Sequence, residues 1–318
     1  MSQAGYDIVT VGGGLGGAAL AKSMAENGFR VIVLEREKEF RDRVRGEQMA
    51  CWGVAEAREL GIYELLVNGA CGQEVRWWET CVGRATMGRR DFLKSTPQQV
   101  PQFMFYHPRM QEILASAAQE TGAEYRRGET VTGVEAGEPA TVLFDNGGAT
   151  ERLSARLVVG ADGRGSLMRK WGGFVVRHDP PRRLIAGVLF DRMLGAPSDS
   201  AYFHIAPSLG RAVLLVPQGN GRVRAYLVYP HDAPIVCREQ LTFPDSLMNP
   251  SRSVFRQSST LGRALPALSR RLTVQITGSS IPTAVESRSL ETRPRLMTHA
   301  SAKDYHSPFV MRGYFETN

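Results

Sequence analysis

The sequence is poor in cysteine and has none of the cysteine spacings that are typical of a metal site. Its four cysteines are Cys51, Cys71, Cys81 and Cys237, and none belongs to a CxxC pair or to a Cys/His ligand pattern. We therefore expect no structural metal site. The plain interpretation is a cytoplasmic protein whose thiols are reduced.

Long apolar runs and blocks of one charge are also absent. No apolar stretch approaches the ~18 residues that a membrane span needs, and the amino terminus has no basic region that would begin a signal peptide. The net charge is +7, but Lys and Arg are scattered among acidic residues. This pattern argues against nucleic acid as a partner, and a polyanionic ligand explains some of the arginines better.

The remaining composition is that of an ordinary globular protein. The chain has 318 residues, of which 42% are apolar and 22% charged. That length allows one large domain or two intertwined ones with a substantial core. The 33 glycines predict many tight turns and close backbone approaches.

A β-α-β unit is predicted at the amino terminus. Residues 6–11 (YDIVTV) form an apolar, β-branched run, and residues 18–27 are an Ala-rich helix candidate. Gly28 stands where a glycine should end that helix, and residues 29–34 (FRVIVL) predict a second strand. A unit of this length favours a parallel sheet.

A glycine motif lies directly between the first strand and the helix. Gly12, Gly14 and Gly17 form G-x-G-x-x-G, with Gly13 and Leu15 between them. The first glycine permits a tight turn, the second lets a pyrophosphate approach the backbone, and the third lets helix and strand pack closely. Because the helix N-terminus offers free N–H groups to phosphates, these five residues are candidate dinucleotide ligands.

Glu35 ends the second strand, at the spacing that the dinucleotide motif requires. A carboxylate there can accept the hydroxyl hydrogens of an adenosine ribose and would repel a 2′-phosphate. The alternative is a solvent-facing glutamate at a strand end.

A second motif decides between the two common dinucleotides. Residues 156–169 combine an apolar strand with Asp162-Gly163, and then Ser166 and Arg169 open a helix. Alone, Asp-Gly is a common surface turn. Together with the glycine motif, the segment resembles the Asp-Gly fingerprint of the FAD-dependent aromatic-ring hydroxylases, the single-component flavoprotein monooxygenases. The resemblance implies FAD, with Asp162 and Gly163 near its pyrophosphate and near the approach path of the reduced nicotinamide.

The same resemblance assigns roles to arginines that follow the second strand. Arg45 matches the family's arginine that reaches the FAD pyrophosphate, and bidentate Arg suits phosphate. Arg43 would serve the nicotinamide cofactor or lie on a solvated face. Arg36 would stack beside the adenine or point into solvent.

A further cofactor contact is expected near the start of a helix predicted over residues 111–121. Family members often place an Arg or Gln there. Spacing to Ile113 puts His107 at that place and Arg109 two residues late, so Arg109 is a candidate ligand and His107 is expected to be structural.

The rest of the chain is rich in strand patterns. Short strands are predicted from AEYRRG, TVTGVE and ATVLFD, and a buried strand over residues 156–159. From Arg183 onward, four strands at regular spacing predict an antiparallel meander, and a hairpin near residue 80 is expected to join that sheet.

The predicted fold class is α/β. A Rossmann-type FAD-binding domain with a mainly parallel sheet is joined to an interleaved antiparallel β-sheet substrate domain. The predicted FAD-binding domain takes residues 1–72 and 100–180, the substrate domain takes residues 73–99 and 181–277, and residues 278–318 form an unassigned tail.

One family feature is missing from the sequence. The third fingerprint, a Gly-Asp segment after the substrate sheet, does not follow residues 273–276. The expectation is therefore a C-terminally truncated or altered member of the family, which brings tight flavin binding into question.

The resemblance implies an enzyme that uses NAD(P)H and O2 to hydroxylate a small aromatic or other electron-rich molecule, through a flavin C4a-hydroperoxide. Two alternatives stay open: a flavin-dependent reductase of the same fold, and a catalytically impaired FAD-binding fragment. No catalytic residue is assigned. Tyr202, His204 and Tyr226 either face the substrate or, the preferred interpretation, pack within the sheet. The oligomeric state is not predicted.

Overall fold

The computed structural model describes residues 5–69, 72–82, 85–190, 198–207, 210–231 and 273–277. The predicted tail, residues 278–318, lies outside these ranges. The helices are α1 (Leu15–Glu26), α2 (Cys51–Glu59), α3 (Tyr63–Asn68), α4 (Phe92–Ser95), α5 (His107–Glu120) and α6 (Met168–Trp171). The strands are β1 (Tyr6–Val11), β2 (Val31–Glu35), β3 (Gln48–Met49), β4 (Gly72–Val75), β5 (Trp77–Val82), β6 (Ala85–Asp91), β7 (Gln102–Phe105), β8 (Glu124–Arg127), β9 (Thr130–Glu135), β10 (Ala140–Asp145), β11 (Thr150–Gly160), β12 (Arg183–Phe190), β13 (Ser200–Ala206), β14 (Arg211–Pro217), β15 (Val223–Pro230) and β16 (Thr273–Thr277).

A six-stranded sheet forms the centre of the amino-terminal half, in the order β8-β2-β1-β11-β10-β9. Strand β1 pairs in parallel with β2 and with β11, and β2 pairs in parallel with β8. Strands β9, β10 and β11 are antiparallel. The predicted α/β class with a parallel-containing sheet is confirmed, and so is the β-α-β unit at its start.

Helix α1 connects β1 to β2 and packs against α5. It begins earlier than predicted, at Leu15, and it ends as predicted at a glycine. Gly28 has a φ of +83°, and its N–H donates to the Ala25 carbonyl at 2.9 Å. Small buried side chains on both helices, such as Ala18 of α1 and Ala115 of α5, let the two backbones approach closely.

The predicted buried strand over residues 156–159 lies inside β11, but the prediction of its burial is wrong. Leu157 is 44% exposed, and Val158 and Val159 are only partly buried. The strand is paired on both sides, by β1 and by β10. Strand pairing satisfies the backbone, but it covers neither face of a sheet, so an apolar run in a paired strand does not guarantee burial.

A seven-stranded sheet has the order β16-β12-β15-β14-β13-β5-β6. Strands β13, β14 and β15 form the predicted antiparallel meander, and the β5–β6 hairpin joins the sheet as expected. The place expected for β12 is wrong, because it pairs with β15 and not with β13. The edge of β13 is taken by β5, which pairs with it in parallel, so β12 occupies the other side of the meander.

A small third sheet, β3-β7-β4, links the two large ones and was not predicted. Its central strand alternates between two cores. Phe103 and Phe105 belong to the helix-covered core, together with Tyr63, whereas Met104 packs with Val75 in a cluster that includes the seven-stranded sheet. This alternation is the ordinary two-residue period of a strand. Among the described residues, no helix is both long and apolar enough to cross a membrane.

Candidate functional site

A cavity of about 520 Å³ opens at the carboxyl ends of β1, β2 and β11. In open α/β sheets, ligands bind beyond the carboxyl ends of the strands, where the connections diverge. The volume is in the range of small-molecule and cofactor pockets. The predicted ligands in its lining are Gly12, Gly14, Glu35, Arg36, Arg45, Asp162 and Gly163. Four other candidates, Gly13, Leu15, Gly17 and Arg109, do not line it.

The three motif glycines have different surroundings. Gly12 has a φ of +97°, and a Cβ on it would lie 2.5 Å from the Ala161 carbonyl oxygen. A Cβ on Gly17 would lie 2.0 Å from the Gly12 carbonyl oxygen, whereas a Cβ on Gly14 would meet nothing within 4 Å. Gly12 and Gly17 are therefore required by packing, and the backbone at Gly14 is open to the cavity.

Helix α1 presents an uncompensated N-terminus at the same place. Its N-cap is Gly14, with no capping side chain and no acidic residue in the first turn. Such an end carries free N–H donors and the positive end of the helix dipole. Leu15 begins the helix and its side chain packs on the core instead of the cavity. The arrangement can bind an anion.

The side chain of Glu35 is hydrogen-bonded to the backbone of the glycine turn at Gly13. The Gly13 N–H donates to Glu35 Oε2 at 2.7 Å, and the Glu37 N–H donates to Glu35 Oε1 at 2.8 Å. The Tyr125 hydroxyl donates to the Gly13 carbonyl. Each Glu35 oxygen has a second acceptor position. The predicted ribose contact remains a prediction, and the structure adds that Glu35 also holds the turn.

The Asp-Gly motif lies directly beside the glycine motif. The Ala161 N–H donates to the Val11 carbonyl at 2.7 Å. Asp162 Oδ2 accepts from the N–H groups of Leu167 and Met168, at 2.7 and 3.2 Å. Its other oxygen, Oδ1, is buried and has no hydrogen-bond partner among the described residues. Since a buried acceptor without a partner is costly, Oδ1 is suited to receive a donor from a ligand.

Arginines of residues 36–45 line one side of the cavity. Arg43 Nη2 lies 2.9 Å from Glu37 Oε1, and Arg36 Nε lies 3.8 Å from the same oxygen. Arg45 has no salt bridge within the described part of the chain. Burial, and then the nearby charge of Arg43, lower the pKa of Arg45. A bound anion would favour its charged form.

Helix α5 brings a different side chain to the cavity than the sequence suggested. Gln111 lines it and is 5% exposed, whereas Arg109 is exposed and its Nε donates to the Gly69 carbonyl at 3.2 Å. His107 is buried, and its Nδ1 lies 2.8 Å from Gln111 Oε1. Gln111 was missed because the helix was predicted to begin at residue 111 and the spacing was measured from Ile113, whereas α5 begins at His107, four residues before the predicted start.

The cavity also reaches the seven-stranded sheet, through Ile185 and Tyr226. A buried polar cluster, which was not predicted from the sequence, lies next to the arginines of the cavity. Arg224 donates to both oxygens of Glu47, each at 2.9 Å, and the Tyr226 hydroxyl donates to Glu47 Oε2. Burial raises the pKa of Glu47, and its contacts with Arg224 and Tyr226 offset only part of that rise.

The other two aromatic candidates of the sheet, both on β13, do not line the cavity. Tyr202 is 6% exposed. His204 is partly buried, and burial lowers its pKa.

Comparisons with known proteins fit this geometry. A family model described as an FAD binding domain matches residues 5–267. Rifampicin monooxygenase of Streptomyces venezuelae is 31% identical over 178 residues, which is 56% of this chain and 36% of that protein. Digeranylgeranylglycerophospholipid reductase 1 of Methanococcoides burtonii is 26% identical over 227 residues, 68% of this chain and 52% of that protein. The matched region is thus about a third to a half of each relative's length.

Solved structures show the same fold. That of p-nitrophenol 4-monooxygenase from Pseudomonas putida superposes with a TM-score of 0.63 at 17% identity, over 92% of this chain and 71% of that chain.

Proposed function

This chain belongs to the FAD-binding domain family and has FAD as its cofactor, and from this premise we propose that it is a flavin-dependent monooxygenase. The proposed reaction uses NAD(P)H and O2 to hydroxylate a small aromatic or other electron-rich molecule. The similarity to rifampicin monooxygenase of Streptomyces venezuelae supports this reaction class.

One observation carries the proposal: separate elements bring residues with unused binding capacity into the lining of one cavity. The open backbone at Gly14, the first-turn N–H groups of α1 and Arg45, which has no salt bridge to any residue that the structure describes, offer donors and positive charge. Asp162 Oδ1, which has no hydrogen-bond partner in the described part of the chain, offers an acceptor. A dinucleotide has a diphosphate for the first set and hydroxyl groups for the second, so the residues present fit FAD.

Each residue has a distinct role in this proposal. Arg45 and the first turn of α1 hold the diphosphate, because both are positive and carry N–H donors. Glu35 and Asp162 accept hydroxyl hydrogens of the sugar and ribityl parts. Gln111 lines the cavity, and because its carbonyl oxygen is in contact with His107 Nδ1, its NH₂ group is the proposed donor to the cofactor.

When bound, FAD supplies electron transfer from the reduced nicotinamide and the activation of O2. The protein's own contribution is to orient the cofactor and to limit the access of water. Since Ile185 and Tyr226 of the seven-stranded sheet border the cavity, the substrate is expected between that sheet and the cofactor.

The test begins with the purified protein, reconstituted with FAD and examined by its visible absorption spectrum. Oxidation of NADH and of NADPH is then followed with a panel of phenols, in air and without oxygen. We expect a flavin spectrum, oxygen-dependent oxidation, and ¹⁸O from ¹⁸O₂ in the product. A protein that binds FAD but incorporates no oxygen into any phenol would contradict the monooxygenase proposal.

A reductase is the second candidate, because a relative is named a digeranylgeranylglycerophospholipid reductase. The same assay separates the two functions. A reductase would consume a polyprenyl double bond under anaerobic conditions and leave no oxygen in the product. A protein that stays colourless with added FAD would instead support the impaired fragment.

A further inference from the structure

A short loop forms the arginine-lined side of the cavity, and one side chain is hydrogen-bonded to both ends of this loop. We call residues 42–47 the arginine loop. Arg224, on β15, is completely buried. Its Nη2 donates to Asp42 Oδ1 at 2.6 Å, at the start of the loop, and the same side chain donates through Nε and Nη2 to Glu47, at the end.

Tyr226 fastens the loop a second time. It lies two residues after Arg224 and so on the same face of β15. Its hydroxyl donates to Glu47 Oε2 and lies 3.3 Å from the carbonyl oxygen of Arg45. Because Tyr226 belongs to β15, the seven-stranded sheet contacts the backbone of Arg45 directly.

The middle of the arginine loop is held by close packing. Val44 is 5% exposed and packs in a cluster with Tyr226. A Cβ on Gly187 of β12 would lie 2.7 Å from Val44 Cγ2 and 3.5 Å from Arg224 Cδ. Only glycine leaves room for the loop here, because Val44 occupies the space that a side chain would need.

From these contacts we propose that Glu47, Arg224 and Tyr226 are positioning residues for the cofactor. They hold the arginine loop in the conformation that presents Arg45 to the cavity, and they tie that conformation to the substrate-side sheet. The inference rests on the proposed placement of FAD in this cavity. None of the three needs to touch the reacting atoms, because they act through the loop backbone.

Glu47→Gln tests whether these contacts hold the arginine loop, because glutamine has nearly the same shape as glutamate. It removes one of the two carboxylate charges that Arg224 pairs with and leaves that of Asp42 in place. Tyr226→Phe is the milder second variant, which loses only the hydroxyl. The matched control is Asp91→Asn in the same sheet, because Arg76 donates to both Asp91 oxygens, at 3.1 and 2.7 Å, and neither residue lines the cavity.

Two measurements are made on each protein: hydrogen exchange of the amides of residues 42–47 without FAD, and FAD affinity by titration of the apoprotein. We expect faster exchange confined to the arginine loop, and FAD binding weakened roughly tenfold in Glu47→Gln, a size typical of residues that act through a packed network. Tyr226→Phe should show the same pattern more weakly. Asp91→Asn should leave both quantities unchanged.

The outcomes are separable. Loop exchange equal to that of the wild type in Glu47→Gln and Tyr226→Phe would overturn the proposal. So would faster loop exchange with unchanged FAD affinity, or equal losses in Asp91→Asn. If Glu47→Gln does not fold, Tyr226→Phe decides. If the wild type binds no FAD, the proposed function fails. Hydrogen exchange still decides whether Glu47, Arg224 and Tyr226 hold the arginine loop.

Discussion

Gly12 packs directly against Asp162: a Cβ on Gly12 would lie 2.8 Å from the Asp162 Cα. The two residues are far apart in the sequence and belong to the two motifs that point to a dinucleotide. They meet because β1 and β11 are parallel neighbours, so the turns that follow the two strands lie at the same edge of the sheet. The predictions below test what this junction binds and what supports it.

The first prediction concerns Gly14, whose position is open in the folded protein. Gly14→Ala should change the free energy of unfolding by no more than about 1 kcal/mol, because its φ of −65° suits any residue and an N-cap alanine is only mildly unfavourable. The added methyl group would stand where the diphosphate approaches. We expect FAD affinity to fall by about tenfold or more, measured by fluorescence titration of the apoprotein.

The matched control for Gly14 is the third glycine of the motif. Gly17→Ala places a Cβ 2.0 Å from the Gly12 carbonyl oxygen. It should cost about 1–3 kcal/mol of stability, as overpacking does, seen as a lower urea midpoint. Equal effects of the two substitutions on folding and binding would contradict the separate roles.

The second prediction concerns pH and the support of α5. Arg127 donates to both Glu112 oxygens, at 2.9 and 2.7 Å. The Arg127 hydrogen bonds hold the pKa of Glu112 below its ordinary value. A carboxyl whose folded pKa is lowered contributes stability above its unfolded pKa, about 4.3, and loses it as the pH falls through the folded pKa.

The measurement is urea unfolding of the wild type and Glu112→Gln at pH 7 and near pH 3. Because Glu112 is partly exposed, the variant should lose only about 0.2–1 kcal/mol at pH 7. The difference between the two proteins should be smaller at the lower pH. A difference that stays constant or grows as the pH falls would contradict the assigned cause.

The sequence predicted the parts of the fold that local chemistry decides. Gly28 ends α1 because only glycine adopts its φ of +83° without strain. Similarly, the apolar periods located the strands of both large sheets. The neighbour of β12 was not predictable in this way, because strand order depends on which edge is free after all other strands have paired.

In the candidate site, too, the features set by local chemistry were predicted and those set by tertiary contacts were not. Gly12, Gly14 and Asp162 line the cavity because their roles depend on backbone geometry near a strand end. Glu47 and Arg224 could not be paired from the sequence, since they lie 177 residues apart and carry no local pattern. Buried charge pairs depend on tertiary contacts, which periodicity does not report.

The third prediction separates two neighbouring candidates on α5. Gln111→Leu removes a polar side chain from the cavity and should weaken FAD binding by about threefold to tenfold, the cost of one or two hydrogen bonds. Arg109→Leu should leave FAD binding unchanged, because Arg109 is directed to the Gly69 carbonyl. Titration of both apoproteins with FAD measures this. A larger loss in Arg109→Leu would restore the assignment made from sequence spacing.

The last prediction concerns the free oxygen of Asp162. In Asp162→Asn, the amide oxygen can still accept from the Leu167 and Met168 N–H groups, so the free energy of unfolding should change by about 0.5 kcal/mol or less. The amide NH₂ then replaces Oδ1, the acceptor without a partner. A donor in that place cannot receive a hydroxyl hydrogen, so the bond to a charged acceptor is lost.

Such bonds contribute about 1.5–3 kcal/mol, which corresponds to a loss of FAD affinity of roughly tenfold to a hundredfold. Asp162→Ala is the companion variant, since it removes both acceptors and should lower stability as well as binding. If Asp162→Asn bound FAD as tightly as the wild type, Oδ1 would not face the cofactor. The recognition of hydroxyl groups in the cavity would then depend on Glu35 alone, beside the anion-binding groups at Gly14 and Arg45.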